Sequence, residues 1–251
     1  MSLCVRVIPT LLLAGNQLVK GVGFDSWRRV GSPRQAMNLF AARKVDEMIL
    51  LDIEAGPRGR EPDYEQVKAL AGEFFMPISV GGGIRTVDHV WNLLRAGANK
   101  VCVGAAAVET PDLISEIADR FGRQALTAAI DAKPRAGGYE AWISSGARAT
   151  GLDAAVLAKD CARLGAGEIL LTNIDRDGTM KGYDLELIRQ VALAVSVPII
   201  ASGGCGRAEH AVSAMEAGAS AVAVGAAFQF TELTPLSVKK ELANAGHPVR
   251  M

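Results

Sequence analysis

Eight runs of largely apolar residues punctuate the chain: VRVIPTLLL from Val5, EMILLDI from Glu47, MPISVGG from Met76, KVCVGAAA from Lys100, ALTAAIDAK from Ala125, EILLTNID from Glu168, VPIIASGG from Val197 and AVAVGAAF from Ala221. Between them lie segments with apolar residues at helical spacing, such as YEQVKALAGEFF from Tyr64, VDHVWNLLRAG from Val87, PDLISEIADRFG from Pro111 and DAAVLAKDCARLG from Asp153. Continuous apolar runs suit strands covered on both faces. Their alternation with amphipathic helices predicts a parallel sheet with crossover helices.

The pattern repeats. PISVGGGIRTVDHVWNLLRAGANKVCVGAA from Pro77 aligns without a gap on PIIASGGCGRAEHAVSAMEAGASAVAVGAA from Pro198. The same offset of about 121 residues lays EMILLDI from Glu47 on EILLTNI from Glu168. A solenoid repeats at a shorter period, and an open doubly wound sheet gives no reason for two superimposable halves. Eight strands in two similar halves predict an α/β fold, a (βα)8 TIM barrel built of two half-barrels. With no linker-like stretch, residues 1–251 read as one domain.

In such a barrel, residues just after each strand line the functional mouth and residues just before it line the floor. At the mouth, Gly81-Gly82-Gly83 follows the third run and Ser202-Gly203-Gly204 the seventh, while Gly104-Ala105 and Gly225-Ala226 end the fourth and eighth. One glycine pair alone reads equally as a tight turn. Duplicated at homologous positions, the pairs predict two phosphate cradles on opposite sides of the mouth, where backbone N–H groups bind anions. The DRDGT segment, with Asp177, Gly178 and Thr179, adds charge and a turn to the same rim. Asp131 ends the fifth run, either as a helix N-cap or as a group for acid–base work. The first run offers no ionisable group from Val7 to Gly15, and Lys20 is the nearest charge beyond it. Lys20 lies in QLVKGVGFDSWRRVGSP, read as a loop whose glycines suit either a lid over substrate or a merely mobile surface segment.

At the floor, Arg6, Glu47, Lys100 and Glu168 each introduce a strand. Spacing leaves two meanings open: simple solvation of strand starts, or a neutralised ring about the barrel axis. Overall charge narrows the choice of partner, because 27 Lys and Arg balance 27 Asp and Glu. Nothing favours nucleic acid or a membrane surface, and a small molecule or protein is the better expectation. Hydrophobic residues at 49% suit a globular core, and no apolar run reaches the roughly 18 residues of a membrane span. Cys4, Cys102, Cys161 and Cys205 show neither zinc spacing nor a disulfide framework, and no secretory signal is evident. These features predict a cytoplasmic protein with buried free thiols, no metal and no cofactor.

The motifs carry a resemblance. VKG at Val19 to Gly21, LLDI over residues 50–53, VGGGI from Val80, AIDAK from Ala129, GAGEILLTNIDRDGT from Gly165 and PIIASGG from Pro198 resemble the cyclase subunit of imidazole glycerol phosphate synthase, the histidine-biosynthesis barrel. The likeness runs from about Val5 to Arg250, with few gaps. It implies a barrel that receives ammonia from a glutaminase docked on its floor and joins it to a ribulosyl aminoimidazole carboxamide bearing two phosphates. It further implies that Gly82, Gly83, Gly104, Asp177, Gly178, Gly203, Gly204 and Gly225 serve the phosphate sites, and that Arg6, Glu47, Lys100 and Glu168 are an ammonia gate. Family cyclases use two aspartates across the mouth as acid and base. Asp131 matches one, and Leu12 stands where the other belongs. Smaller departures are Gly104-Ala105 for Asn-Thr, Ala226 for Ser and Asn99 for an acid. Two functions therefore stand: a cyclase in which Asp131 and Lys20 cover the loss, or a conduit paralogue passing ammonia to a separate amidotransferase that makes an acetamidino surface sugar.

Overall fold

The computed structural model describes residues 4–43 and 45–251. The barrel strands are β1 (Arg6–Ala14), β2 (Met48–Asp52), β3 (Ile78–Gly81), β4 (Lys100–Val103), β5 (Leu126–Arg135), β6 (Glu168–Asn173), β7 (Ile199–Ser202) and β8 (Ala221–Val224). Each is parallel to both neighbours, and β8 closes on β1 with Arg6 opposite Ala221 and Pro9 opposite Val224. The expected (βα)8 barrel is thus the observed architecture.

Strand alternation divides the core into two layers. On β1, Val7, Leu11 and Leu13 face outward into the large cluster between strands and helices. Ile8 faces inward and meets Ile49, Cys102, Leu170, Ile200, Ala221 and Ala223 inside the barrel. The outer helices hold their ends by local rules. The helix Ala154–Leu164 is capped by Asp153, whose Oδ1 accepts from Ala155 N at 2.9 Å and Val156 N at 3.1 Å, and it stops at Gly165 with φ +118°. Replacing such a cap by alanine costs about 1 kcal/mol.

The internal repeat survives as repeated contacts. A Cβ on Gly82 would lie 2.3 Å from Asp52 O, and one on Gly203 would lie 2.6 Å from Asn173 O. Both glycines hold positive φ, so the turns after β3 and β7 require glycine twice over. His89 Nδ1 accepts from Arg85 N at 3.3 Å, and His210 Nδ1 accepts from Gly206 N at 3.1 Å.

The runs end earlier than their apolar character suggests. After β4, residues Ala105–Glu109 are helical, as are Ala227–Phe230 after β8, because small apolar residues suit a short buried helix as readily as a strand. Two antiparallel hairpins are further additions. One joins Gln17–Val22 to β1 and then to Asp25–Gly31, turning at Gly15 with φ +56°. The other extends β5 through Gly138–Ile143 and Arg148–Asp153. Cys102, Cys161 and Cys205 are buried free thiols, and Cys4 is exposed. Among the described residues no helix is long and apolar enough to cross a membrane.

Candidate active site

At the floor, the four strand-initial charges form a closed ring. Arg6 donates from Nη1 to Glu47 Oε2 at 2.7 Å and from Nη2 to Glu168 Oε1 at 2.5 Å. Lys100 Nζ donates to Glu168 Oε2 at 2.8 Å and to Glu47 Oε2 at 3.3 Å. Ser79 Oγ completes Glu47 through its Oε1 at 2.6 Å. Burial opposes ionisation of Glu168, but Arg6 and Lys100 more than offset it and hold this carboxyl below its ordinary range. Each charge has an opposite neighbour on both sides, which makes their removal from bulk water tolerable. A second buried pair, Lys239 Nζ to Asp46 Oδ1 at 2.9 Å, ties the helix Pro235–Asn244 to the same end. Asp46 Oδ2 also accepts from Val7 N.

Above the ring the lumen is hydrocarbon and thiol, from Ile8 and Ile49 to Leu170 and Ala223. The hydroxyl of Thr127, beside Glu168 in the strand register, is buried there without a hydrogen-bond partner among the described residues. The lumen leads to a mouth cavity of about 230 Å³.

Nearly every mouth residue expected from sequence lines that cavity: Leu12, Lys20, Gly82, Gly83, Gly104, Asp131, Asp177, Gly178, Gly203, Gly204, Gly225 and Ala226. Thr179 does not, since its hydroxyl turns back to Arg176 O at 2.7 Å. Asp131 sits on β5 opposite Trp142 of the second hairpin. Burial, and then the nearby Asp177 charge, push its carboxyl up to about 7, while the Thr172 hydroxyl works the other way. Asp177 is also raised by burial, with Lys20 opposing.

Lys20 reaches the mouth from the first hairpin. Its Nζ donates to Thr10 O at 2.9 Å and lies where a Cβ on Gly225 would come within 2.7 Å. Burial lowers its amine to about 8, and Asp177 partly restores it. The hairpin lies across the rim: Gly23 N donates to Asp177 O at 2.9 Å, and a Cβ on Gly178 would strike Gly21 O. Leu12 occupies the inward position on β1 two residues beyond Thr10, buried and paired with Val19 and Leu51. Among the described residues, β1 and the hairpin strand beside it therefore present hydrocarbon, a lysine and a threonine to the mouth, but no carboxylate.

Several lining residues escaped the sequence reading, Thr172, Trp142 and Ser145 among them. Thr172 lies two positions beyond Leu170 on the inward face of β6, a place that strand alternation identifies. Trp142 and Ser145 belong to the second hairpin, where GYEAWI alternates buried and half-buried residues. Ser145 Oγ donates to Ile53 O at 2.7 Å, and the indole N–H of Trp142 is buried without an acceptor among the described residues.

Known proteins are similar to this sequence over its whole length. A family model described as histidine biosynthesis protein matches residues 6–234. The imidazole glycerol phosphate synthase subunits HisF of Streptomyces coelicolor and Streptomyces griseus are each 49% identical over 251 residues, covering all of both chains. That of Pyrobaculum aerophilum is 46% identical over 253 residues, again with full coverage. The chain belongs to the histidine biosynthesis protein family, within its branch of imidazole glycerol phosphate synthase cyclase subunits.

Proposed function

We propose that this chain is an enzyme of the imidazole glycerol phosphate synthase type, taking ammonia at the floor and consuming it at the mouth on a substrate bearing two phosphates. The observation that carries the proposal is continuity: a neutral ring of charge, an apolar lumen and a polar cavity holding Asp131 follow one another along one axis. Ammonia is small and uncharged, so an apolar lumen suits its passage and excludes ammonium. The ring is the gate, and a glutaminase subunit on the floor is the source. The two glycine cradles, with Gly104 and Gly225 beside them, hold the phosphates by backbone N–H groups.

Ammonia addition, bond cleavage and ring closure each move protons. Asp131, poised at about 7, both gives and takes them near neutrality. With Leu12 on the opposite wall, Asp131 is the sole aspartate of the family's pair, and Lys20 supplies an ionisable group beside Leu12. The test is steady-state turnover of the ribulosyl bis-phosphate substrate with ammonium chloride as nitrogen source. Turnover by the wild-type chain that vanishes in Asp131→Asn supports the proposal.

Leu12 also favours a second reading, in which the barrel conducts ammonia to a separate amidotransferase making an acetamidino sugar. In that case the wild-type chain shows no turnover, and product forms only when the acceptor enzyme is added with glutaminase and glutamine.

A further inference from the structure

Among the residues lining the mouth cavity, Lys20 is the lysine, and its setting differs from that of an ordinary ion-pairing side chain. The residue is 4% exposed, and its Nζ has a neutral acceptor, Thr10 O, at 2.9 Å rather than a carboxylate in contact. Leu12, next to it across the hairpin register through Val19, adds hydrocarbon. Gly225 leaves the room that the amine occupies, because any Cβ there would fall 2.7 Å from Nζ. Thr10 Oγ1 is buried without a hydrogen-bond partner among the described residues and also lines the cavity, as does Asp131 on β5. A cavity-facing amine with no carboxylate in contact, an acid and an unused hydroxyl are the parts required to form and dehydrate a carbinolamine.

We infer that Lys20 is a covalent nucleophile, forming an imine with the ketone carbon of a ketose phosphate held in the mouth. The neutral amine adds through its lone pair to the carbonyl carbon. The attacking nitrogen gives up one proton to the carbonyl oxygen, which becomes the hydroxyl of a neutral carbinolamine that Thr10 Oγ1 is placed to hydrogen-bond. Protonation of that hydroxyl by Asp131 releases water and leaves the iminium. A lowered lysine pKa keeps a fraction of the amine neutral near pH 7.

The consequence rests on the proposed function. Ammonia arriving from the lumen attacks the iminium carbon, Lys20 departs as the amine, and the substrate carries the nitrogen as its own imine with no net redox change. Nucleophilic catalysis by Lys20 thereby takes over a step for which β1 supplies no acid.

The experiment uses the intact chain with ribulose 5-phosphate as probe and sodium borohydride as trap, followed by intact-mass measurement and peptide mapping. The expected result is one reduced ketose phosphate per chain, located on Lys20, suppressed by excess inorganic phosphate and lost in Lys20→Arg. Leu12→Asp, which places a carboxylate beside the ammonium, slows the labelling. Labelling spread over exposed lysines and unchanged in Lys20→Arg overturns the inference, as does absence of any adduct. Mapping on the wild-type chain keeps the test valid even if a variant fails to fold. Trapping without turnover by ammonium chloride leaves the imine standing and removes the cyclase function; turnover without trapping does the reverse.

Discussion

Replacing Asp131 by asparagine isolates the free energy stored in the mouth. The native carboxyl titrates at about 7, whereas an unfolded aspartate titrates near 3.9. Below about pH 4 the group is protonated in both states and contributes no difference. As pH rises towards 7, the unfolded chain releases its proton while the folded chain keeps it, so folding binds a proton and stability falls with pH. The full penalty, reached above about pH 7, is at most roughly 4 kcal/mol at 1.36 kcal/mol per pKa unit. Asparagine has nearly the same shape and no charge, so Asp131→Asn removes the penalty. Urea denaturation at pH 4 and pH 8 measures it: the variant matches the wild type within about 1 kcal/mol at the lower pH and is more stable by about 2–4 kcal/mol at the higher. A pH-independent difference, or a variant less stable at pH 8, refutes the burial of an ionising carboxyl at this position.

Other positions make separate predictions. Lys100→Met leaves Glu168 and Glu47 sharing Arg6 alone, and urea denaturation at pH 7 should show a loss of about 3–5 kcal/mol. Gly203→Ala meets Asn173 O at 2.6 Å with φ at +83° and should cost about 1–3 kcal/mol in the same assay. Gly104→Ala should cost less than about 1 kcal/mol, because φ is −105° and the nearest atom to the new Cβ is 3.7 Å away.

Much of the site was legible because a barrel converts sequence position into spatial position. The end of an apolar run is the mouth and its beginning is the floor, so strand boundaries place Asp131 and the four floor charges, while spacing leaves open whether those charges only solvate strand starts or close a ring. The glycine pairs were legible for a second reason, being duplicated, although the structure assigns them a folding role as well: Gly82 and Gly203 pass close over the carbonyls of Asp52 and Asn173. What escaped depends on contacts between distant segments. No local pattern announces that Lys20 turns inward onto Thr10, or that Gly225 must lack a side chain to receive it. Thr179 shows the opposite failure: its hydroxyl satisfies its own turn before it can serve the cavity. The two hairpins were hidden by composition, since Gln17–Val22 and Gly138–Ile143 carry glycine and charge within short alternating strands.

The central claim is that this mouth performs ammonia chemistry with one aspartate of the family's catalytic pair. It is tested most directly by measuring kcat for the ribulosyl bis-phosphate with ammonium chloride, comparing the wild-type chain with Leu12→Asp. The account predicts turnover by the wild type, raised by roughly 10²-fold or less when the second carboxylate is supplied. Turnover confined to Leu12→Asp, with none in the wild type, contradicts it and makes the barrel a conduit.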